Sequence, residues 1–486
     1  MLLPKAKSNS FFSNSFFIFI IRFFPSLANL LILLYYSKQL PQTTYGDYQH
    51  FWIMLNVIYP LACFGIHVVM ITYPREYIIA LLKKVSAKYY LFYASWVIGL
   101  GVVYALLQSQ YLHISFVIPF LFLIAFAISI VLESFLIVFR SYYGLTITSI
   151  LYSIAYCAIH GYILRTDFSL QQLFLWLLII TIARLLIYSI MAARKMKAGN
   201  SYEQTEEQSI SKVRALWLHL AIYDITQTLF SGIDKFIVAL LFTAEVSAIY
   251  YNGSLNIPFL PLLLSAAGSA VLIQLAANRH DDNSNSVQLI NRSGKFLSCI
   301  VFPLFFYLLI YRYELITQLL SAKYIPAIPV FFVSIMAIPL RAYSFTTVLQ
   351  RMHKGSIINI GAILDLVIAC ALMYPLYKWL GLPGIALGFV VTSYLQGAFY
   401  LYYSAKLLKV SIRSLIPYIN WFVKLIVFAC IFIVIHYLGN TCFTQRISLI
   451  LGGAVMAILI IVSLFFEFKR QQNGNITSQP PVQEHR

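Results

Sequence analysis

Apolar segments recur along the whole chain, and short polar or turn-forming stretches separate them. An α-helix of about 20 apolar residues is long enough to cross the hydrocarbon core of a bilayer. The pattern therefore predicts fourteen membrane-spanning helices, numbered as spans 1 to 14: 15–36, 47–72, 89–107, 113–139, 144–164, 168–193, 213–241, 245–276, 294–320, 326–350, 355–379, 383–405, 414–437 and 444–467. Span 1 is too long for the apolar part of a secretory signal and lacks a small-residue cleavage site, so we expect it to be retained.

The composition agrees with an all-α membrane protein. Hydrophobic residues make up 61% of the chain and charged residues only 10%, whereas soluble domains are about 45–50% apolar and about 25% charged. The six cysteines are scattered and show neither zinc-ligand nor disulfide spacing. No metal and no cofactor are predicted.

The net charge of +18 allows either a nucleic-acid partner or a membrane topology signal. Of the 34 Lys and Arg residues, 23 fall at the termini and in every second connection, and six fall in the other connections. Basic residues concentrate on the cytoplasmic side of membrane proteins. The alternation therefore supports fourteen spans with both termini in the cytoplasm, and it removes the reason to expect nucleic acid.

The loops leave no room for a catalytic domain. All connections on the predicted outer side are short, and the only sizeable polar segments are on the cytoplasmic side. The phosphate-binding motif GxxxxGK[ST] does not occur, so ATP hydrolysis is not expected. The sequence therefore favours a protein that is not an enzyme.

Two parts of the chain resemble each other. The segments that begin at Ser134 and Ser344 match at an offset of 210, and those around Gly46 and Ala248 match at an offset of 202. A chance match of short apolar strings is the alternative to a parallel duplication of six helices. The duplication predicts the following domains: an N-terminal lobe (1–195), a cytoplasmic linker (196–212), a C-terminal lobe (213–410), two appended helices (411–470) and a disordered cytoplasmic tail (471–486).

Two polar stripes mark the first span of each predicted lobe. An ionisable side chain in hydrocarbon is costly, so it is expected to face a partner or a water-filled cavity. Helical spacing places the members of each stripe on one face, and the offset of 202 superimposes the first stripe on the second. The stripes consist of Arg22, Ser26 and Asn29 in span 1, and of Asp224, Thr228, Ser231 and Lys235, with Asp234 beside them, in span 7.

Further ionisable residues lie at a similar depth from the predicted cytoplasmic side, which suggests one hydrated cavity. They are Glu133, Arg184, Arg341, Asp365 and Lys424. For Glu133 and Arg184, the sequence leaves open both a role in lining the cavity and a purely structural role. Arg341 and Asp365 are expected to pair, either as a purely structural ion pair or within the cavity, and the sequence favours Lys424 snorkelling to the headgroups.

Several motifs resemble those of a known family. Segments 233–237 (IDKFI) and 245–250 (EVSAIY), residues 323–329, and the glycine-rich turn 379–388 (WLGLPGIALG) are similar in order and spacing to motifs of bacterial polysaccharide flippases. These are the oligosaccharidyl-lipid/polysaccharide exporters, which are related to multidrug and toxin extrusion transporters. Ala248 departs from the family, which usually has glycine there.

The resemblance implies two pseudo-symmetric six-helix lobes around a cavity, with two appended helices, and alternating access. It also implies an undecaprenyl-pyrophosphate-linked oligosaccharide as substrate, carried between the membrane leaflets. Arg22, with Arg184 or Arg341, is expected to attract the pyrophosphate or acidic sugars. Asp224 or Asp365 is the candidate for a coupling proton or Na⁺, and Glu133, Asp234 and Lys235 are candidates for coupling or ion pairing.

Two alternatives are open. A cation-coupled multidrug exporter of the same superfamily is disfavoured because such transporters use acidic residues in span 1, where this chain has Arg22. A membrane glycan polymerase or ligase is disfavoured by the short outer loops. Membrane lipid is an expected partner, and polysaccharide polymerase and chain-length machinery are further candidate partners.

Overall fold

The structure is a computed structural model that describes residues 8–73, 75–166, 168–198, 210–254, 283–352 and 354–476. Every regular element in these ranges is helical. The chain divides into two compact units, Met1–Tyr251 and Asn252–Arg486. The predicted linker and tail lie largely outside the described residues, and the predicted lobe boundaries stay predictions.

The first unit contains ten helices within its described residues. They are α1 (Ser8–Gln39), α2 (Gln42–Cys63), α3 (Ile66–Thr72), α4 (Arg75–Lys84), α5 (Ala87–Leu112), α6 (Val117–Val138), α7 (Tyr142–Arg165), α8 (Leu170–Ala198), α9 (Ile210–Leu241) and α10 (Ala244–Gly253), the last of which ends just past the unit boundary. Helix α1 packs against α7, α6 against α8, and α2 against α9. Span 7 thus packs, as α9, against span 2.

The described part of the second unit contains nine α-helices. They are α11 (Asn283–Ile310), α12 (Arg312–Glu314), α13 (Ile328–Ile335), α14 (Thr347–Arg351), α15 (Gly355–Leu380), α16 (Leu382–Leu408), α17 (Ile412–Leu415), α18 (Tyr418–Cys442) and α19 (Gln445–Ile476). A π-helix (Leu315–Leu320) and two 3₁₀-helices (Ala322–Ala327 and Ile338–Ala342) complete it.

The all-helical membrane fold is confirmed, but the count of fourteen spans is not. Among the described residues, eleven helices are long and apolar enough to cross a membrane, or twelve if a bent pair forms one span. Helix α9, the predicted span 7, is not among them, and it carries Asp224, Asp234 and Lys235. Most of the predicted span 8 lies outside the described residues.

Span 2 is broken where the sequence analysis predicts one continuous helix. Helices α2 and α3 meet at 57°, because Phe64 and Gly65 both adopt left-handed backbone angles, with φ of 46° and 67°. Glycine tolerates this conformation, but phenylalanine seldom adopts it. The break leaves the Phe64 carbonyl free of the helical ladder, and the indole N–H of Trp217 on α9 donates to it at 2.8 Å.

Span 10 is also interrupted. Helix α13 ends at Ile335, and the chain continues as the 3₁₀-helix Ile338–Ala342. Pro339 lies in this second segment and has no N–H to donate to the carbonyl of Ile335, so a continuing α-helix would lose this hydrogen bond. The single helix predicted for 326–350 is therefore wrong, and Arg341 lies on the 3₁₀ segment.

The two C-terminal spans, α18 and α19, pack on α11 through buried polar contacts. Lys424 of α18 forms an ion pair with Glu467 of α19 at 3.3 Å, and its ammonium group also donates to the Lys295 carbonyl at 2.7 Å. The Lys424 side chain is only 14% exposed. The expectation that Lys424 snorkels to the headgroups is therefore wrong, because its charge is neutralised inside the helix packing.

We expect Gly46→Ala to destabilise the first unit. A methyl group on Gly46 of α2 would overlap the Ala244 carbonyl at the start of α10, and overpacking of this kind costs about 1–3 kcal/mol. Apparent melting temperatures in detergent measure the effect. Gly99→Ala is the matched control, since a methyl group there meets no atom within 4 Å; a loss of stability equal in both variants would contradict the prediction.

Candidate functional site

Helices α1, α6 and α8 carry three of the predicted charged residues at a similar height along their axes. An apolar cluster that includes Ile21, Leu136 and Tyr188 joins these helices. Arg22 follows Ile21 directly, and the Ser149 hydroxyl of α7 donates to the Ile21 carbonyl. The cluster thus fixes the height of Arg22 relative to Glu133 on α6 and Arg184 on α8.

Arg184 is held between aromatic rings. Its guanidinium carbon lies 4.4 Å from the ring centroid of Tyr152 and 5.7 Å from that of Phe126. Tyr152 is oriented by its hydroxyl contact with Thr181, at 3.5 Å. Cation–π contacts hold a guanidinium in place without using its N–H groups. The Nε of Arg184 is buried and has no hydrogen-bond partner in the described structure. Its N–H is therefore able to donate a hydrogen bond to a ligand.

Glu133 lies in the electrostatic field of both arginines. Its half-buried carboxylate interacts electrostatically with Arg184 and, more weakly, with Arg22. Neither arginine forms a direct ion pair with it within the described residues. The buried Tyr188 also lies in the field of both Glu133 and Arg184. The three charged groups therefore share one site with a formal charge of +1.

The site extends along α2 toward α9. The Tyr59 ring packs edge-on against Phe126, with centroids 5.5 Å apart, and the Tyr59 hydroxyl lies within electrostatic range of Arg22 and Asp224. The Asp224 carboxylate in turn lies 3.5 Å from Nε2 of His67, just past the break in span 2. We define Arg22, Tyr59, Glu133, Tyr152, Arg184 and Asp224 as the N-terminal cluster.

The remaining stripe residues contribute little free hydrogen-bonding capacity. The hydroxyl of Ser26 donates to the Arg22 carbonyl at 2.8 Å, and that of Ser231 donates to the Thr228 carbonyl at 2.8 Å. These hydroxyls are therefore satisfied by their own helices. Asn29 is exposed on α1. That these residues line a cavity stays a prediction.

Asp234 and Lys235 form a separate group on α9. Asp234 is buried and accepts a hydrogen bond from the Tyr250 hydroxyl at 3.0 Å, and the Lys235 ammonium lies 3.8 Å away from the same oxygen. The group joins α9 to α10. It fits the predicted role of ion pairing.

The expected pair between Arg341 and Asp365 is wrong. Both carboxylate oxygens of Asp365 are buried without a hydrogen-bond partner in the described structure, and Arg341 is exposed on its 3₁₀ segment. The pairing was expected because Arg341 and Asp365 were counted to the same depth on consecutive helices. The interruption of span 10 at Pro339 means that this count does not hold for Arg341. The hydroxyl of Thr392 on α16 is near Asp365 but donates to the Gly388 carbonyl at 3.0 Å.

Sequence reasoning missed several residues that belong to the N-terminal cluster or contact its members. Tyr59, Phe126 and Tyr152 were not distinguished from the many aromatic residues of a membrane protein. His67 was missed because its role depends on the break in span 2. The glycine at position 65 within an apolar run was the available signal for that break.

Comparison with known proteins supports the predicted relationship. Residues 139–329 match a family described as "Polysaccharide biosynthesis protein". No curated protein sequence matches the chain. This description agrees with the resemblance to proteins of bacterial polysaccharide biosynthesis that the sequence motifs indicate.

Three solved structures have a similar fold. The lipid II flippase MurJ in an inward closed conformation matches with a TM-score of 0.60 and 14% identity, over 92% of this chain and 98% of MurJ. An inward-facing multidrug transporter of the MATE family matches at 0.55 and 11%, over 79% and 94% of the two chains. A mutant of the Vibrio cholerae MATE transporter VcmN matches at 0.51 and 14%, over 83% and 98%. At these identities the likeness shows the fold alone: a multi-pass membrane transporter fold.

Proposed function

We propose that this protein is a flippase that moves an undecaprenyl-pyrophosphate-linked oligosaccharide from the cytoplasmic to the outer leaflet. The observation that carries the proposal is the N-terminal cluster, in which the guanidinium group of Arg184 stacks on Tyr152 and both Arg184 and Arg22 lie in electrostatic range of Glu133. Arginine side chains in hydrocarbon are costly and need an anionic or polar partner. Glu133 is the carboxylate beside the two arginines, so these three side chains together carry one net positive charge.

The residues of the cluster suit a phosphate-bearing glycan head group. Arginine makes charge-assisted and bidentate hydrogen bonds to phosphate oxygens, and the unpartnered Nε of Arg184 is available for one of them. The rings of Tyr59 and Tyr152 provide flat apolar surfaces against which sugar rings pack. The polyprenyl tail stays in lipid while the head group crosses.

Energy for transport comes from an ion gradient or from removal of the product. Asp365 is the better candidate for a coupling proton or Na⁺, because its two oxygens are buried and lack donors in the described structure. Asp224 already has His67 beside it. In this proposal both termini face the cytoplasm of a bacterial inner membrane, and the glycan serves O-antigen, lipopolysaccharide or another surface polysaccharide.

The proposed partners are membrane lipid, the lipid-linked glycan and a polymerase with chain-length machinery that uses the product. The fold is equally that of multidrug transporters, so the charge of the cluster decides between the two substrates. A site for cationic drugs needs an excess of acidic groups. Here Arg22 and Arg184 outnumber the carboxylate of Glu133 beside them, and Asp224 at the other end of the cluster brings the formal charge of the whole cluster only to zero. The proposed activity is transport and involves no enzymatic reaction.

Replacement of Arg22 tests the proposal. In cells that depend on the glycan, Arg22→Ala is expected to lower surface polysaccharide several-fold at equal protein abundance, and Arg22→Lys is expected to restore part of it. Labelled lipid-linked glycan should accumulate in the inner leaflet. Normal surface polysaccharide from both variants would rule out the anion-binding role, and altered drug susceptibility instead would favour the multidrug exporter.

A further inference from the structure

The carboxylate of Glu133 is not needed to explain substrate attraction. Two arginines alone would bind an anionic head group more strongly than two arginines with a carboxylate beside them. The carboxylate nevertheless lies in the field of Arg184 and Arg22, on the same helix face as Phe126, seven residues earlier. A negative charge beside a binding site for an anion repels the ligand.

Among the described residues, the two arginines are the basic groups that offset the charge of the Glu133 carboxylate. The described charged and titratable groups that face it are Arg22 on α1, and Arg184 and Tyr188 on α8. Arg184 is itself positioned by Tyr152 and Phe126, so its place does not depend on an ion pair with Glu133. The carboxylate therefore has an electrostatic effect on the site without being required to hold it together.

We propose that Glu133 is the residue that limits affinity for the head group and so permits its release. In the empty site the carboxylate is the counter-ion of both guanidinium groups. An arriving pyrophosphate takes over the guanidinium groups and is repelled by the carboxylate, so the bound state is weaker than two arginines alone would give. A transport site must bind well enough to load and weakly enough to unload. This inference rests on the proposed function.

The test measures binding and transport separately. Purified protein in lipid nanodiscs is titrated with geranylgeranyl pyrophosphate, and with geranylgeraniol as the neutral probe. Glu133→Gln is expected to bind the pyrophosphate about tenfold more tightly than the wild type, because one unit charge near the ligand is removed. Binding of geranylgeraniol should not change. In cells the same variant is expected to export less glycan at equal abundance, because release becomes slower.

Matched variants separate this effect from structural damage. Asp47→Asn makes the same change in net charge on α2, where Asp47 is half-buried outside the cluster, and its affinity should equal that of the wild type. Glu133→Ala is expected to tighten binding as Glu133→Gln does, whereas Glu133→Asp keeps the charge and should stay near the wild type. A damaged site would bind more weakly.

The outcomes are distinct. Binding by Glu133→Gln and Glu133→Ala that is equal to or weaker than the wild type overturns the inference, as does equal tightening by Asp47→Asn. If the wild type itself does not distinguish geranylgeranyl pyrophosphate from geranylgeraniol, and Arg22→Ala has no effect, the proposed function fails instead. If the wild type prefers the pyrophosphate but the Glu133 variants bind it no more tightly, the proposed flippase function stands. Only the proposed role of Glu133 is then ruled out.

Discussion

Export of surface glycan is expected to fall to the level of a deletion strain when Arg22 and Arg184 are both replaced by Ala. A hydrogen bond to a charged group contributes about 1.5–3 kcal/mol. Loss of two such contacts therefore weakens head-group binding by about 3–6 kcal/mol, or roughly 100-fold to 10,000-fold. The measurement is surface polysaccharide per unit of membrane-inserted protein.

The control also removes two positive charges, both from α8, without touching the cluster. Arg194 and Lys195 are exposed near the end of α8, and Ala at both positions should leave export near normal. Arg184→Lys is expected to restore export only in part, because an ammonium group lacks the planar surface that stacks on Tyr152. More than half of normal export from the double Ala variant would show that the two arginines do not bind the substrate.

Lys424→Ala is expected to destabilise the second unit by about 3–5 kcal/mol, because it leaves a buried carboxylate without its counter-ion. That carboxylate belongs to Glu467, whose side chain is 6% exposed. The apparent melting temperature of purified protein should fall accordingly. Replacement of both members, Lys424→Met with Glu467→Met, should recover most of the loss, since two apolar side chains fill a similar volume.

The matched control for this prediction is Lys406→Ala. Lys406 is exposed at the end of α16, and its loss should change the melting temperature little, as for most surface charges. If the double Met variant is no more stable than Lys424→Ala, the ion pair is not the cause of the destabilisation.

The sequence predicted the positions of most spans because a helix in lipid must be both long and apolar, whatever it packs against. It also identified Arg22, Glu133 and Arg184, because a charge in hydrocarbon is unusual in any fold. Depth along a helix can be counted from the sequence, but the direction in which a side chain points depends on the packing of neighbouring helices. The expected pairing of Arg341 with Asp365 and the expected snorkelling of Lys424 were wrong for this reason.

The aromatic half of the site could not be predicted. In a chain that is 16% aromatic, the position of Tyr152 beneath a guanidinium follows only from the packing of α7 against α8. The break at Gly65 is likewise accompanied by a contact that is distant in sequence, because the indole N–H of Trp217 donates to the carbonyl that the break exposes.

Helices α18 and α19 are tied to α11 near both of its ends. Besides the contacts of Lys424, the buried Glu314 just beyond α11 meets Nε2 of His436 at 2.8 Å and the amide of Asn440 at 3.2 Å. A chain cut after α16 would present Glu314 to hydrocarbon, and such a carboxylate has a large insertion penalty. Homologues that end at twelve spans are therefore expected to carry apolar residues at position 314. A hybrid of such a homologue with residues 283–314 of this chain should be retained or degraded before it reaches its membrane.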